Sequence, residues 1–188
     1  MKRWFDAFCL NAFERAIDRL DRIVNRGENM QCTVHTPNAY LNQHQTALLP
    51  DWKQSVASVL IVLQPCSVSL FDRTPETEVY KDLLRQQFLQ FGESIVHQLQ
   101  RQFHHATRFD PRTGLPIDAT AGTLRLHDVA VVRSLLGYDT LNCGGCLTIV
   151  HPHWQGAVYP ATLLSSAPPV TVERVMQQVE NPVLASGR

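Results

Sequence analysis

The segment VASVLIVL, residues 56–63, is a nearly continuous apolar run in which Val56, Val59, Ile61 and Val62 are β-branched. A half-exposed strand would alternate apolar and polar residues, so an unbroken run of this kind predicts a strand buried on both faces. Pro65 bounds the run, since proline cannot donate a ladder hydrogen bond. We therefore expect this strand to lie within the core of the domain.

The strongest helix start in the chain follows this run. Thr74 can cap the first turn, Pro75 lies where a missing N–H costs little, and Glu76 and Glu78 complement the positive end of the helix dipole. Apolar residues then recur at helical spacing, at Tyr80, Leu84, Phe88, Phe91, Ile95, Leu99 and Phe103. The pattern predicts one long central helix of roughly 40 Å, and its stripe is typical of core packing rather than of a cofactor site.

Shorter segments complete the predicted order of elements. Strands are predicted at residues 32–35, 146–150 and 157–164, and helices at residues 5–24, 126–136 and 172–179, the last capped by Thr171. Asp110, Pro111 and Gly114 supply turn chemistry between the long helix and the next one. Because strands occur in separated groups without regular β-α-β alternation, we predict an α+β domain. Its predicted extent is residues 30–180, with an amphipathic helix in residues 1–29 and a flexible tail in residues 181–188.

Composition narrows the class of protein. The 188 residues include 17 basic and 17 acidic side chains, a balance that argues against a nucleic-acid binder. Five cysteines, an odd count spread along the chain, indicate free thiols in a reducing compartment rather than a disulfide scaffold. No run approaches the roughly 20 apolar residues that cross a bilayer. We therefore expect a soluble cytoplasmic protein with no membrane contact.

The densest chemistry lies in NCGGCLTIVHPHW, residues 142–154, and three interpretations compete for it. Cys143, Cys146, His151 and His153 are residue types that bind zinc, although the histidine spacing is unusual and an extended chain separates the two halves. Cys143 and Cys146 alone form a CxxC pair, which is typical of redox centres. In such centres a helix N-terminus lowers the pKa of the first thiol. Here a predicted strand follows the pair, so that assistance is missing.

The third interpretation is structural. Gly144 and Gly145 then serve a tight turn, or the close approach of another molecule, at the entry to a buried strand. Cys146 would behave as a small apolar residue in that strand. The residues alone leave all three interpretations open.

Several segments in the same order resemble the methylmalonic aciduria and homocystinuria type D family. RFDPRTGL at residues 108–115 is similar to the family's FIDPSSGL-type turn. LGY at 136–138, GGC at 144–146 and HPHW at 151–154 resemble its LGF…GCCKVIRHSLWG stretch, and QCTVHT at 31–36 and LLP at 48–50 resemble its ECAIQT and LFP segments. The resemblance covers roughly residues 30–178.

The resemblance implies a nitroreductase-like fold that has lost flavin chemistry and a function without catalysis. A family member acts after a processing partner has removed the upper ligand of cobalamin, and does not hold cobalamin tightly by itself. It docks on that partner and helps to direct the cofactor toward the dependent enzymes, methionine synthase and methylmalonyl-CoA mutase. A cysteine thiolate is the implied cobalt ligand, which suits its softness. The resemblance also makes Asp110, Gly114, His151 and Trp154 candidate turn or docking residues.

This sequence departs from the family at the thiol pair. Gly145 stands where the family has its first cysteine, Cys146 matches the second, and Cys143 lies two residues before the lost one. On an extended chain positions 143 and 145 face the same way, so Cys143 is a candidate substitute. Cys143, Gly144, Gly145 and Cys146 thus form the predicted cofactor-binding segment.

A flavin- or thiol-dependent reductase is the alternative function. Against it, we find no cluster of basic residues suited to a flavin phosphate, because Arg101, Arg108, Arg112 and Arg125 are scattered in sequence. The sequence therefore favours the adapter over the enzyme.

Overall fold

The computed structural model describes residues 30–180, so the predicted helix at residues 5–24 and the tail at residues 181–188 lie outside the described residues. The elements in chain order are β1 (Gln31–His35), α1 (Ala39–Leu48), β2 (Ser58–Pro65), α2 (Pro75–Gln100), β3 (Ala106–Arg108), α3 (Asp128–Leu136), β4 (Asp139–Cys143), β5 (Cys146–Val150), β6 (Val158–Ser165) and α4 (Pro169–Glu180). Within the described residues, four helices and two antiparallel sheets form the α+β architecture that the sequence predicts.

The main sheet is built around the predicted central strand. Its strand order is β1-β2-β6-β3, and all neighbouring pairs are antiparallel. All eight residues of β2 are buried, and each pairs with a residue of β6, from Ser58 opposite Ser165 to Pro65 opposite Val158. The prediction of a strand buried on both faces is confirmed, with the strand displaced two residues toward Pro65.

Helices cover both faces of this sheet. On one face, α2 and α4 pack on Leu60 and Val62 of β2 and on Leu163 of β6. On the other face, α1 and α3 pack on Val59 and Ile61. Successive strand residues alternate between the two cores, which is why β2 has no polar face.

The long helix α2 begins as predicted. The Thr74 side chain accepts a hydrogen bond from the Thr77 N–H and the Thr77 side chain accepts one from the Thr74 N–H, so both residues satisfy the helix start. The helix spans 26 residues, about 39 Å at 1.5 Å per residue. It ends at Gln100, so the predicted continuation to Phe103 is wrong. Phe103 adopts φ 63° and is 92% exposed where the chain reverses toward β3.

The predictions for the shorter elements are confirmed in part. The strand at β1 is present, and α3 ends at Gly137, which has a left-handed conformation. Helix α4 starts at Pro169, so Thr171 lies in its first turn instead of capping it. Helix α1 and strand β4 are absent from the sequence prediction. Across residues 30–180, no helix is both long and apolar enough to span a membrane.

Candidate functional site

Strands β4 and β5 form a separate two-stranded sheet, here called the glycine hairpin (Asp139–Val150). Cys143 and Cys146 pair at its end, leaving Gly144 and Gly145 as the two-residue loop. These glycines have φ values of 61° and 92°, and two positive φ angles are the requirement of a type I′ turn. The Asn142 side chain accepts a hydrogen bond from the Gly145 N–H at 3.1 Å and holds the turn closed.

The reversal at the glycines corrects two expectations. The chain is not extended from 143 to 145, so the argument that these positions face the same way does not apply. Nor is β5 a buried strand: Leu147 is 45% exposed, and Leu141 on β4 is 48% exposed. The hairpin projects from the main sheet and contacts the core chiefly through Ile149.

The loop of the glycine hairpin is open to its surroundings. A Cβ atom added to Gly144 or Gly145 would meet no other atom within 4 Å. The need for glycine here comes from the positive φ angles rather than from crowding inside the chain. Another molecule therefore has room to approach this turn closely.

The glycine hairpin forms one wall of a cleft of about 910 Å³. The other walls come from the start of α2, the turn at residues 110–116, the start of α3 and the first half of β6. Among the predicted site residues, Cys143, Gly145 and Gly114 line this cleft. Segments that are about 30 residues apart in sequence, the 110–116 turn and the hairpin loop, thus face one cavity.

The 110–116 turn, here called the Asp110 turn, is fastened to α2 by an ion pair. Asp110 Oδ1 accepts a hydrogen bond from Arg85 Nε at 2.6 Å, and Oδ2 accepts one from Arg85 Nη2 at 2.8 Å. The hydrogen bonds from Arg85 are the main reason that the pKa of Asp110 lies below its ordinary value. Asp110 therefore fixes the turn and does not line the cleft.

Gly114 completes this turn. Its N–H donates to the Asp110 carbonyl at 2.7 Å, and its φ is 68°. An added Cβ would lie 2.4 Å from the Leu126 carbonyl oxygen, so only glycine fits here. The predicted turn is confirmed, and its glycine serves the approach of the chain to α3.

Basic residues gather at the rim of the cleft, which the sequence analysis missed. Arg112 and Arg125, judged scattered in sequence, both line the cleft together with Arg73 and Lys81. Acidic residues accompany them. Arg112 lies 2.6 Å from Asp82, with both side chains more than half exposed.

The floor of the cleft holds two groups that the sequence analysis did not single out. Asp128, the first residue of α3, is 7% exposed, and burial raises its pKa to about 7. The Thr162 hydroxyl, which is also buried, opposes this shift by hydrogen bonding to the carboxyl. Tyr159 lines the cleft beside it, and its pKa is raised by burial and by the charges of Asp128 and Asp110. No local pattern marks either residue, because their burial arises from tertiary packing.

His151 and Trp154 lie outside the cleft lining and organise a different turn. The rings stack with centroids 4.1 Å apart. His151 Nδ1 accepts hydrogen bonds from the N–H groups of His153 and Trp154, both at 3.1 Å, and Nε2 lies 2.9 Å from Gln31 Oε1. Since Nδ1 accepts twice, the ring is neutral with its proton on Nε2, and burial lowers its pKa.

The three thiols whose side chains are described, Cys32, Cys66 and Cys143, fall into two groups. Burial raises the pKa values of Cys32 and Cys66, which makes them poor thiolates. Cys143 is half-buried at the cleft. Among the side chains that the structure describes, no group of three His, Cys, Asp or Glu residues is placed to hold a metal ion.

The fold and the site together define an α+β protein that presents a glycine hairpin with a thiol above a cleft. Comparison with known proteins finds similarity to the cobalamin trafficking protein CblD of Mus musculus, 21% identical over 84% of this chain, and of Homo sapiens, 21% identical over 74%. The Rattus norvegicus protein of the same name is 22% identical over 73% of this chain. These similarities support a distant relationship to proteins of that name.

The similarity covers only part of each relative. The matched region covers 55% of the mouse protein and 47% of the human and rat proteins, so the chain spans about half the length of the curated relatives it matches. No protein-family model matches the chain.

Arg85→Met removes the guanidinium that pairs with Asp110, and it is expected to destabilise the fold. Asp110 would keep a mostly buried carboxylate without its cation, at a cost of on the order of 2–3 kcal/mol at about pH 7. Because the pKa of Asp110 is lowered, the contribution exists above its ordinary value of 3.8 and is lost as pH falls through the folded value. Urea denaturation of both proteins across this pH range measures the difference.

Arg112→Met provides the matched control. Its ion pair with Asp82 is mostly exposed, so the loss should stay below about 1 kcal/mol. Equal losses for the two variants would show that the Arg85–Asp110 pair does not fasten the turn.

His151→Asn is expected to reduce the loss of folding stability that occurs as pH falls below neutrality. The lowered pKa of His151 means that the unfolded chain binds its proton first, so stability is lost as pH falls below the ordinary value of 6.5. Asparagine keeps an acceptor near the Nδ1 position but does not titrate. Thermal unfolding between about pH 7 and pH 5 should therefore show a shallower slope in the variant.

Two other groups titrate in this window in both proteins: burial lowers the pKa of His35, which removes stability as pH falls, and raises that of Asp128, which adds stability as pH falls. An unchanged slope would mean that His151 does not contribute through its neutral form.

Proposed function

We propose that this protein is a non-enzymatic adapter in cobalamin handling. It docks on a cobalamin-processing partner and directs the cofactor toward cobalamin-dependent enzymes, with a thiol of the glycine hairpin as a cobalt ligand. The similarity to cobalamin trafficking proteins carries this proposal. A nitroreductase-like origin of the α+β domain is part of it.

The geometry of Cys143 supports the thiol role. The residue lies at the end of a projecting hairpin and lines the cleft, whereas burial suppresses thiolate formation at Cys32 and Cys66. Ligation requires that the thiol lose its proton and that the thiolate sulfur donate an electron pair to cobalt. A soft thiolate is a suitable ligand for this step.

The absence of side chains at Gly144 and Gly145 supports the approach of a large, flat cofactor. An added Cβ at either position meets open space, so the hairpin loop has no side-chain barrier on its outer surface. The substitution of the family's first cysteine by Gly145 then leaves Cys143 and Cys146 as the two candidate ligands. Their Cα positions pair across the hairpin, so both belong to the same presenting element.

Exposed apolar residues on the hairpin support partner docking. Leu141 and Leu147 are each close to half exposed on this small sheet. Apolar side chains beside a reactive thiol suit a surface that becomes covered in a complex. His151 and Trp154, whose stacked rings support the neighbouring turn, remain proposed docking residues at the edge of this surface.

A reductase remains the second candidate function, and one observation favours it. Four basic residues line the cleft beside Glu78 and Asp82, and basic side chains of this kind can contact an anionic cofactor: Arg73, Lys81, Arg112 and Arg125. Purified protein that is yellow and releases flavin on denaturation would favour the reductase over the adapter.

An anaerobic absorbance titration of cob(II)alamin with a candidate processing partner tests the adapter function. Addition of the wild-type chain should shift the visible spectrum only when the partner is present, because the partner holds the cofactor. Cys143→Ser or Cys146→Ser should abolish the shift, since a hydroxyl is a much poorer ligand than a thiolate. Whichever variant loses the shift identifies the cobalt ligand.

Cys66→Ser is the control, because that thiol is buried and does not line the cleft. A shift that survives in the Cys143→Ser, Cys146→Ser double variant would contradict the thiol role. Absence of any shift or complex with the wild-type chain would contradict the adapter function itself.

A further inference from the structure

The glycine hairpin places two cysteines directly opposite each other. Cys143 is the last residue of β4, Cys146 is the first residue of β5, and the two are register partners with only two glycines between them. In an extended chain, positions 143 and 146 would face opposite sides. Because the turn reverses the chain, they become cross-strand partners, and such partners lie on the same face of a two-stranded sheet.

The backbone geometry of this pair matches that of a disulfide. Opposite residues of an antiparallel pair have Cα atoms about 4.5–5.5 Å apart, and a disulfide joins Cα atoms that are about 4.4–6.8 Å apart. Cys143 and Cys146 are such opposite residues. A bond between them therefore requires no rearrangement of the two strands.

The turn holds the pair in place before any bond forms. Gly144 and Gly145 have positive φ angles, and the Asn142 side chain accepts a hydrogen bond from the Gly145 N–H. Two groups that folding has already brought together react with each other far more readily than either reacts with a group from solution. The hairpin thus favours a disulfide within the chain over a mixed disulfide with a small thiol.

The position of the pair suits a reversible bond. A Cβ added to Gly144 or Gly145 meets no atom within 4 Å, so a small oxidant can approach the turn, and Cys143 is only half-buried at the edge of the cleft. Accessible disulfides are the labile ones that serve in regulation. Both cysteines lie in strands, so the pair lacks the helix N-terminus that makes a CxxC dithiol a redox catalyst. These features favour a switch over an oxidoreductase.

We propose that Cys143 and Cys146 form a reversible intramolecular disulfide, with a low-molecular-weight disulfide such as glutathione disulfide as the oxidant. The inference rests on the proposed function for its consequence, because the bond engages both candidate cobalt ligands. The hairpin then ligates cobalt only in its dithiol form. Formation of the disulfide itself is testable without cobalamin.

The reaction is a pair of thiol–disulfide exchanges. One cysteine thiolate attacks a sulfur of glutathione disulfide, which forms a mixed disulfide and releases one glutathione thiolate. The second cysteine thiolate then attacks the cysteine sulfur of the mixed disulfide and releases the other glutathione. The two thiols of the hairpin are oxidised, glutathione disulfide is reduced to two glutathione molecules, and the two protons pass from the cysteines to the glutathione thiolates. Excess reduced glutathione reverses both steps.

Peptide mapping of the full chain detects the bond. The protein is equilibrated anaerobically with mixtures of reduced and oxidised glutathione, quenched with acid, alkylated under denaturing conditions and digested with trypsin. The peptide of residues 134–174 contains Cys143 and Cys146 and no other cysteine. In excess oxidised glutathione it should be lighter than the dithiol peptide by two hydrogen atoms and take up no alkylating agent. Excess reduced glutathione should restore the doubly alkylated peptide.

The peptide of residues 54–73 is the internal control, because its one cysteine is the buried Cys66. It should be alkylated once at every glutathione ratio. A glutathione adduct on the 134–174 peptide in place of the loss of two hydrogens, or disulfide-linked dimers of the chain, would overturn the inference.

Gly144→Val and Gly144→Asn are matched variants that test the role of the turn. Either side chain extends into open space, but asparagine suits the positive φ of a type I′ turn and a β-branched valine does not. Gly144→Val should lower the equilibrium constant for the disulfide roughly tenfold, whereas Gly144→Asn should stay close to the wild-type constant. Equal constants for the two variants would show that the turn does not place the thiols.

The wild-type chain in urea gives a second comparison that needs no variant. The equilibrium constant should fall severalfold when the chain is unfolded, since the pairing of the strands is then lost. A constant that is unchanged or larger in urea would contradict the inference.

The cob(II)alamin titration with the processing partner separates this inference from the proposed function. Both redox forms are freed of glutathione first, and the dithiol form should shift the spectrum while the disulfide form should not. A shift of equal size with the disulfide form would overturn the switch. A disulfide that forms as expected, with no shift or complex in either form, would overturn the adapter function and leave the disulfide in place. A thiol-dependent shift without any disulfide would overturn this inference alone.

Discussion

The ladder between β2 and β6 is the interaction on which the other parts of the molecule depend. Eight consecutive residue pairs join the two strands, and every residue of β2 is buried. Their side chains alternate between the core under α2 and α4 and the core under α1 and α3, so both helical layers are positioned by one pair of strands. The ladder also aligns the beginning of β6, where Val158, Tyr159 and Pro160 form part of the cleft.

The cleft is assembled on this frame from segments that are distant in sequence. The Asp110 turn is held to α2 by Arg85, and Gly114 allows it to approach Leu126 just before α3. The glycine hairpin leaves α3 and contacts the core through Ile149. The turn on one side and the projecting hairpin on the other leave an opening where a thiol, a buried carboxyl and both basic and acidic side chains meet.

The sequence predicted the parts of this structure that local patterns determine. The apolar run before Pro65, the Thr74 cap and the glycines at positions 114 and 137 each act within a few residues, and each prediction is confirmed. Helix α1 was missed because only Leu41 and Leu48 among its residues are buried. Strand β4 was missed because its residues are mostly exposed and polar, since the hairpin is not part of the core.

The sequence predicted those residues of the candidate site whose residue type alone suggests a function. Cys143 and the glycine pair stand out by composition, but their pairing across a turn depends on two positive φ angles. In sequence, Asp128 looks like an ordinary acidic residue at a helix start. Tyr159 looks like an apolar residue of a strand. The basic residues at the rim come from three separate segments, so their proximity exists only after folding.

Hydrogen exchange of this chain, free and bound to a candidate processing partner loaded with cob(II)alamin, tests the central claim most directly. The claim is that the glycine hairpin and the cleft beneath it face the cobalamin-bearing partner. It predicts slowed exchange in β4, β5 and the Asp110 turn, with little change in α4 and β1. Protection confined to α4 and β1, with the hairpin exchanging as fast as in the free chain, would contradict it.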